Sequence, residues 1–333
     1  MENKKLKIAI IGGGIIGTYL AWKLGERGHD VSVFEKKSEK DAGKKVCSAL
    51  FSERIIGFIP QASECVKNEI SGCVINFPKK KIKLNFSPKH LVLNREKLLA
   101  TLISLARETG AHIIFNQEIK ELPQDFDYII GCDGAGSIVR NKLELPKPVF
   151  SLGIRAYFRQ SDNSNFVSTC PTRSGFLWKI PKGDCVEYGA MGDLKETKKI
   201  FDDFLKRENI NTEESASAII PQPGNYFVDS GLIFTNENNI ALCGDATGLT
   251  KPWSGGGIIW GLTQAGILLK TFPNFKEYKK EVIKKFGRQI LKGKISKRLV
   301  YLFGNYFPYI LPSEITYDND FPSIFASLIS LFA

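Results

Sequence analysis

The residues best suited to bind a cofactor are glycines that follow a short apolar run near the start of the chain. Residues 12–17 read GGGIIG and satisfy the GxGxxG pattern directly after the run LKIAII. In this pattern Gly12 permits a tight turn, Gly14 lets the backbone approach a pyrophosphate, and Gly17 allows close packing of the next helix. Glu35, at the end of the next apolar run, can accept hydrogen bonds from a ribose. The spacing predicts a dinucleotide site, whereas the glycines alone also fit a simple turn.

Two later segments repeat the combination of an apolar run, an aspartate and glycines. Residues 131–140 read GCDGAGSIVR, and residues 243–248 read CGDATG, followed by three glycines at 255–257. An aspartate in this place can bond a ribose or ribityl hydroxyl, and the glycines before a helix suit a phosphate. Asp-Gly alone is common in turns. Three such segments in order favour one cofactor over three unrelated turns.

Parallel strands followed by helices are the elements that would position these motifs. Residues 6–11 and 31–34 fit buried strands on either side of a helix that begins near Ile15. Asn94 is typical of a helix N-cap, and residues 128–130 and 240–242 fit further strands. Residues 150–235 alternate as in an antiparallel sheet. We therefore predict an α/β fold, with a discontinuous Rossmann-like domain around a parallel central sheet, an inserted antiparallel-sheet domain (α+β), and a helical C-terminal tail.

With these motifs the sequence resembles the glutathione-reductase-type FAD flavoproteins, in the branch of aromatic hydroxylases, halogenases and geranylgeranyl reductases. GxGxxG with Glu35, DGAGSxVR, and GDATG before a proline and three glycines match the three FAD motifs of that branch in order. Three details are similar to archaeal-type geranylgeranyl reductases: KKVCSAL around Cys47, GFLWKIPKGDCVEYGAM around Trp178, and GDATGLTKPWSGGGIIWG. Ile180 and Met191 depart from the signature of that family, and both fall on the expected lipid pocket.

The resemblance implies which residues bind FAD, which bind substrate and which residue is catalytic. Cys47, the titratable residue beside the flavin, would be catalytic, against the alternative of a small buried residue. Trp178, Pro181, Pro252 and Trp253 would line the substrate pocket, although apolar alternation of this kind is also typical of sheet core. The residues that would bind FAD are Gly12, Gly14, Ile15, Ile16, Gly17, Glu35, Lys36, Cys47, Ser48, Arg95, Asp133, Gly134, Gly244, Asp245, Gly255, Gly256 and Gly257.

The same resemblance divides the chain into three regions. The FAD-binding domain would comprise residues 1–50, 91–150 and 231–274, and the substrate domain residues 51–90 and 151–230. Residues 275–333 would form a basic and apolar helical region. Within it, residues 276–298 hold eight lysines and two arginines against two glutamates. A basic amphipathic helix is typical of membrane-surface binding, but an ordinary helix packed on the domain has the same pattern.

Composition restricts the class of protein. The 333 residues carry 46 basic and 35 acidic side chains, a net charge of +11, and 43% are hydrophobic, which indicates a folded protein. Seven cysteines without a CxxC pair indicate a reducing cytoplasm, and three histidines without ligand spacing predict no metal site. No run is long enough to span a bilayer, and no nucleic-acid module is present.

The resemblance implies an FAD-dependent oxidoreductase that saturates C=C bonds of geranylgeranyl chains in membrane lipids or their precursors. Its partners would be an isoprenoid lipid, an external electron donor (NAD(P)H or ferredoxin) and the membrane surface, and it would be cytoplasmic, peripheral on the inner face of the cell membrane. Two alternatives stay open. One is a flavin-dependent monooxygenase or halogenase, and the other is a membrane-docked flavoprotein without its own alkene turnover.

Overall fold

The computed structural model describes residues 4–224, 235–236 and 238–322. Its strands in chain order are β1 (Lys7–Ile11), β2 (Asp30–Phe34), β3 (Leu50–Ser52), β4 (Val66–Phe77), β5 (Lys80–Leu93), β6 (His112–Ile114), β7 (Tyr128–Gly131), β8 (Val149–Phe158), β9 (Phe166–Pro171), β10 (Phe176–Pro181), β11 (Val186–Gly192), β12 (Ser215–Gln222), β13 (Ile240–Leu242) and β14 (Glu314–Tyr317). Its α-helices are α1 (Ile15–Gly25), α2 (Glu39–Ala42), α3 (Ile55–Phe58), α4 (Arg95–Glu108), α5 (Ile138–Lys142), α6 (Thr197–Arg207), α7 (Ile258–Thr271) and α8 (Phe275–Tyr306).

Five strands from distant parts of the chain form a parallel sheet in the order β13-β7-β1-β2-β6. Its central strand β1 reads KIAII and is buried at four of its five positions, as a strand covered on both faces must be. Helix α4 begins where predicted, because the Asn94 side chain accepts a hydrogen bond from the Lys97 backbone N–H at 3.0 Å. The predicted parallel core with motif-bearing turns at its strand ends is therefore confirmed.

The other nine strands form a second sheet in the order β12-β8-β11-β10-β9-β4-β5-β14, with β3 pairing β5. Most of its pairs are antiparallel, while β9 lies parallel to β4 and β14 parallel to β5. One face packs against α6 through Ile154, Leu177 and Phe201. The other face is turned toward the parallel sheet. The predicted mixed fold class is confirmed, and the domain boundaries stay a prediction.

Helix α8 packs on the parallel-sheet domain along most of its apolar side. Phe275, Tyr278, Val282, Phe286 and Ile290 recur at helical spacing, and each is at most 1% exposed. The Tyr278 hydroxyl also donates to the Leu242 carbonyl oxygen at 2.8 Å. The first half of the basic helix is therefore a core helix with a lysine-rich outer face, which is the second of the two interpretations of its sequence.

Candidate functional site

The turn between β1 and α1 leaves open space at the one glycine where a phosphate would approach. Gly12 has a φ of +105°, and a Cβ there would lie 2.6 Å from the Cys132 carbonyl oxygen. A Cβ on Gly17 would lie 2.0 Å from the Gly12 oxygen, whereas no described atom lies within 4 Å of a Cβ on Gly14. Gly14 is the N-cap of α1 and offers no side-chain cap. Backbone N–H groups at this helix end therefore face space that suits an anion.

Glu35 and Asp133 both line a cleft that begins at this turn. The Glu35 carboxylate accepts from the backbone N–H groups of Gly13 at 2.8 Å and Lys37 at 2.9 Å. Asp133 Oδ2 accepts from the Ile138 N–H at 2.6 Å, but its Oδ1 is buried with no hydrogen-bond partner among the described residues. Burial raises the pKa of Asp133. Lys36 lines the same cleft. The polar groups of this cleft therefore fit the adenosine end of FAD.

The third motif continues the site on the far side of α1. Gly244 and Gly255 both have a φ of +69°, a conformation that favours glycine, and Gly257 is the N-cap of α7. Asp245 Oδ2 accepts from Lys45 Nζ at 2.7 Å. Close packing also holds this motif against α1, because a Cβ on Gly244 would lie 3.2 Å from the Ile16 side chain.

Arg95 is the second residue of the site with a buried polar atom that has no hydrogen-bond partner among the described residues. Its Nη1 donates to the Gly43 carbonyl oxygen, but its Nε is buried with no hydrogen-bond partner among the described residues. Together with Asp133 Oδ1 and the space at Gly14, this donor is what a bound dinucleotide would satisfy. The residues present therefore fit FAD. Of the predicted set, Ile15 and Ile16 form the first turn of α1, and Gly134, with a φ of +83°, follows Asp133.

A cavity lies where the FAD motifs meet the second sheet. It brings together the predicted residues Cys47, Ser48, Arg95, Trp178 and Asp245. Apolar side chains make up much of its wall, and those of the described residues are Val46, Leu50, Phe51, Ile154, Met191, Ile219, Ile220, Ile258 and Ile259. Gly255, Gly256 and Gly257 line it from the third motif. The cavity therefore combines the catalytic and cofactor residues that the resemblance implied.

Strand register explains how the second sheet forms one wall of this cavity. Trp178 pairs with Gly189 across β10 and β11, and Gly189 pairs with Arg155 across β11 and β8. Paired residues lie on the same face of a sheet. A Cβ on Gly189 would lie 2.2 Å from Trp178 Cζ2. The indole therefore lies directly over this glycine, and any side chain at position 189 would collide with it.

Met191, where the reductase signature has its second glycine, narrows the cavity. A Cβ on Gly255 would lie 2.5 Å from Met191 Sδ, so the second sheet reaches the third FAD motif at this point. Gly153 pairs with Met191, and the Ile220 side chain fills the space beside it, 2.6 Å from where a Cβ on Gly153 would lie. The departure from the family pattern thus falls on the cavity wall, where it changes the shape of the space for substrate.

A buried ion pair ties the loop of Cys47 to the second sheet. Lys182 Nζ lies 3.1 Å from Glu187 Oε2, and both side chains are almost completely buried. Trp178 Nε1 donates to Glu187 Oε1 at 3.0 Å, and Lys182 Nζ donates to the Ser48 carbonyl oxygen. The Cys47 thiol sulfur accepts from the Ala49 N–H at 3.4 Å. Sequence reasoning missed Lys182 and Glu187, because only strand register shows that they face Trp178 and Ser48.

Three predicted substrate residues lie outside this cavity. Pro181 is the last residue of β10, and its carbonyl oxygen accepts from Asn68 Nδ2 at 3.1 Å. Pro252 lines a separate groove against α8. Trp253 packs against Gly293 of α8 and donates to Asn319 Oδ1 at 2.9 Å. The chain turns sharply between Lys251 and Gly255, so the glycines face the cavity while Pro252 and Trp253 face α8.

Comparison with known proteins agrees with this site. A family model for FAD dependent oxidoreductases matches residues 7–53. The chain is 23% identical to a digeranylgeranylglycerophospholipid reductase of Methanococcus vannielii, over 84% of this chain and 80% of that protein. It is also 23% identical to a kynurenine 3-monooxygenase of Flavobacterium johnsoniae, over 84% of this chain and 76% of that protein.

A solved structure shares the fold over nearly the whole chain. It is a geranylgeranyl bacteriochlorophyll reductase-like protein from Thermoplasma acidophilum, with a TM-score of 0.76, 16% identity, and coverage of 98% of this chain and 95% of that chain. The predicted resemblance, the oxidoreductase class and FAD as cofactor are thereby confirmed. None of the helices among the described residues is long and apolar enough to cross a membrane. Within the same residues, no group of three His, Cys, Asp or Glu could hold a metal ion.

Proposed function

We propose that this protein is an FAD-dependent reductase that saturates C=C bonds of geranylgeranyl chains in membrane lipids or their precursors. The observation that carries the proposal is the cavity in which an apolar wall, the FAD motifs and Cys47 meet. Its apolar lining suits a segment of hydrocarbon chain. The reductase among the similar proteins supports the same reaction class.

Saturation of an alkene adds a hydride to one carbon and a proton to the other. Bound FAD, once reduced by the external electron donor, would supply the hydride. The chain must hold the alkene in place, exclude water and deliver the proton. Ile220 and Met191 provide apolar contacts, and Trp178 is fixed by its bond to Glu187. The Cys47 thiol lies in the cavity wall and can donate the proton at Sγ.

The reaction can be tested without knowing the electron donor. The FAD-loaded protein is photoreduced under anaerobic conditions and mixed with a lipid that bears geranylgeranyl chains. We expect the oxidised flavin absorbance to return, and the lipid to gain two hydrogen atoms per reaction. A lipid with fully saturated chains is the matched control and should leave the flavin reduced. Reoxidation only by oxygen, with an oxygenated or halogenated product, would instead establish the monooxygenase or halogenase alternative. No turnover in either assay would leave the docked flavoprotein.

We also propose that the protein binds the inner face of the cell membrane. An aromatic patch supports this: Leu302, Tyr306, Phe307, Tyr309 and Ile310 at the end of α8 and just beyond are all large, apolar and exposed, Tyr309 by 86%. Arg298, which is exposed, precedes the patch on the same helix. Aromatic rings beside basic side chains suit a headgroup interface. The predicted apolar run at residues 321–333 lies mostly outside the described residues, from 323 onward.

Membrane binding should depend on this patch and on salt. Replacing Phe307 and Tyr309 with serine should weaken binding to acidic liposomes by at least about tenfold, because two large apolar side chains no longer insert. Binding should also fall as salt rises, since lysine contacts are screened over about 8 Å at physiological ionic strength. Leu194→Ser is the matched control, because Leu194 is also an exposed apolar residue but does not belong to the patch. Sedimentation with liposomes measures both effects. Equal binding of all variants to neutral and acidic liposomes would contradict the proposal.

A further inference from the structure

We propose that the cavity binds an anionic group of its ligand, a phosphate or a carboxylate, through Arg155. The inference rests on the proposed function in one respect: the substrate is taken to occupy this cavity. Nothing in the sequence motifs pointed to this residue, because a single arginine in an alternating strand has no distinctive pattern. Its position becomes evident only from the register of β8, β11 and β10, which aligns it with Gly189 and Trp178.

Two N–H donors of the Arg155 guanidinium lack a hydrogen-bond partner in the part of the chain that the structure describes. Its Nε and Nη1 are both buried and have no hydrogen-bond partner among the described residues. The guanidinium carbon lies 4.4 Å from the ring centre of Tyr157, which is two residues further along β8 and on the same face. The ring supports the guanidinium through a cation–π contact. Two buried donors without hydrogen bonds are costly, so a ligand that accepts from them would bind more tightly.

The carboxylates around the cavity are already engaged by other cations. Glu187 pairs with Lys182, and Asp245 pairs with Lys45. Asp320, behind the cavity, pairs with Lys251 at 3.0 Å and with Arg54 at 3.1 Å. Each of these carboxylates therefore already has a cationic partner, and none of the ion pairs among the described residues includes Arg155. Arg95 is the second such cation, and its position beside Gly43 assigns it to the cofactor.

The shape of the site defines the ligand class. A guanidinium presents parallel N–H donors that match two oxygens of a carboxylate or phosphate. Beyond it the wall is apolar, with Trp178, Met191 and Ile220 among its residues. The cavity therefore suits an amphiphile with one anionic end and a hydrocarbon body. A phosphate would indicate a prenyl phosphate or phospholipid, and a carboxylate would indicate an apolar acid.

Binding to the oxidised, FAD-loaded protein tests this inference without any turnover. FAD fills the pyrophosphate site, so added anions cannot bind there. Isothermal titration calorimetry compares decyl phosphate, decanoate and 1-decanol, each below its micellar concentration. We expect at least one anion to bind about 10- to 100-fold more tightly than decanol, as a charge-assisted hydrogen bond allows. Arg155→Gln should remove this advantage and leave decanol binding unchanged.

Two further variants keep the outcome decisive. Arg159→Gln removes an exposed arginine just beyond β8 that pairs with Glu213, and it should leave anion binding unchanged. Arg155→Lys keeps the charge but loses the paired donors, so it should retain part of the advantage, and it replaces Arg155→Gln if that variant loses FAD. The inference is overturned if wild-type protein binds decanol as tightly as both anions, or if Arg155→Gln keeps the anion preference. Because no alkene is reduced in this assay, its result does not depend on that of the reductase test.

Discussion

Replacing Cys47 with alanine is expected to slow alkene-dependent reoxidation of the reduced flavin by about 100-fold or more, as for loss of a general acid. FAD should stay bound, because the space at Gly14, the Glu35 carboxylate and the Asp133 side chain are untouched. An unactivated alkene accepts a hydride poorly unless a proton reaches its other carbon. The Cys47 sulfur accepts one hydrogen bond from the Ala49 N–H, which leaves its own S–H hydrogen available for the substrate.

Anaerobic stopped-flow absorbance with a geranylgeranyl lipid measures this rate. Cys47→Ser keeps a small donor and should recover part of the lost rate. Cys170→Ala removes a partly buried cysteine from β9, outside the cavity, and should react like the wild type. If Cys47→Ala also reacts at the wild-type rate, the thiol is a packing residue, and the proton comes from another donor such as ordered water.

The cofactor half of the molecule could be predicted from sequence because its signals are local. A glycine turn, the strand before it and the helix after it lie within residues 7–25, and each is constrained by its own backbone geometry. Any side chain at Gly12 or Gly17 would clash with neighbouring backbone atoms, so the GxGxxG spacing is a direct consequence of the fold. Asn94 likewise caps a helix that begins at the next residue.

The substrate half could not be predicted to the same depth because its contacts are long-range. Arg155 lies in the row of Trp178 only through two strand pairings, and alternation in sequence does not state which strands pair. In the sequence, Lys182 and Glu187 look like surface charges, and only the pairing of the strands shows that they are buried. Helix α8 is a further case. Its apolar stripe fits a membrane surface or a protein core equally well, and the tertiary structure shows that the first half of the helix packs in the core.

The C-terminal part of the described chain connects the two halves at the rear of the cavity. Strand β14 pairs with β5, and the next residues bring Asp318 and Asp320 onto Arg54. Asp320 also accepts from Lys251, which lines the cavity. Asn319 lies between these carboxylates, and its amide oxygen accepts from Trp253 Nε1 and the Tyr317 hydroxyl. Its amide nitrogen must therefore point the other way, toward His90.

His90 should make the protein lose stability as the pH falls from 7 to 5. Its Nε2 lies 3.1 Å from Asn319 Nδ2, and an amide nitrogen can only donate, so the ring must accept in its neutral form. Burial, together with the nearby Lys251 cation, lowers the pKa of His90 from 6.5 to about 3, although Asp320 and Asp318 partly oppose this. Below pH 6.5 the unfolded chain binds a proton that the folded chain refuses. Stability therefore decreases with falling pH, by about 2 kcal/mol at pH 5.

Urea unfolding at pH 7 and pH 5 with saturating FAD measures this loss, and two variants separate it from the titration of other groups. His90→Gln keeps an acceptor for the Asn319 amide but cannot take up a proton, so it should lose about 2 kcal/mol less than the wild type between the two pH values. His112→Gln removes an exposed histidine on β6 and should follow the wild type. Equal losses for His90→Gln and the wild type would mean that the folded protein accommodates a protonated His90. Asn319 would then have to turn its oxygen toward the ring and give up its bonds from Trp253 and Tyr317, which would loosen the segment that holds Lys251 at the cavity.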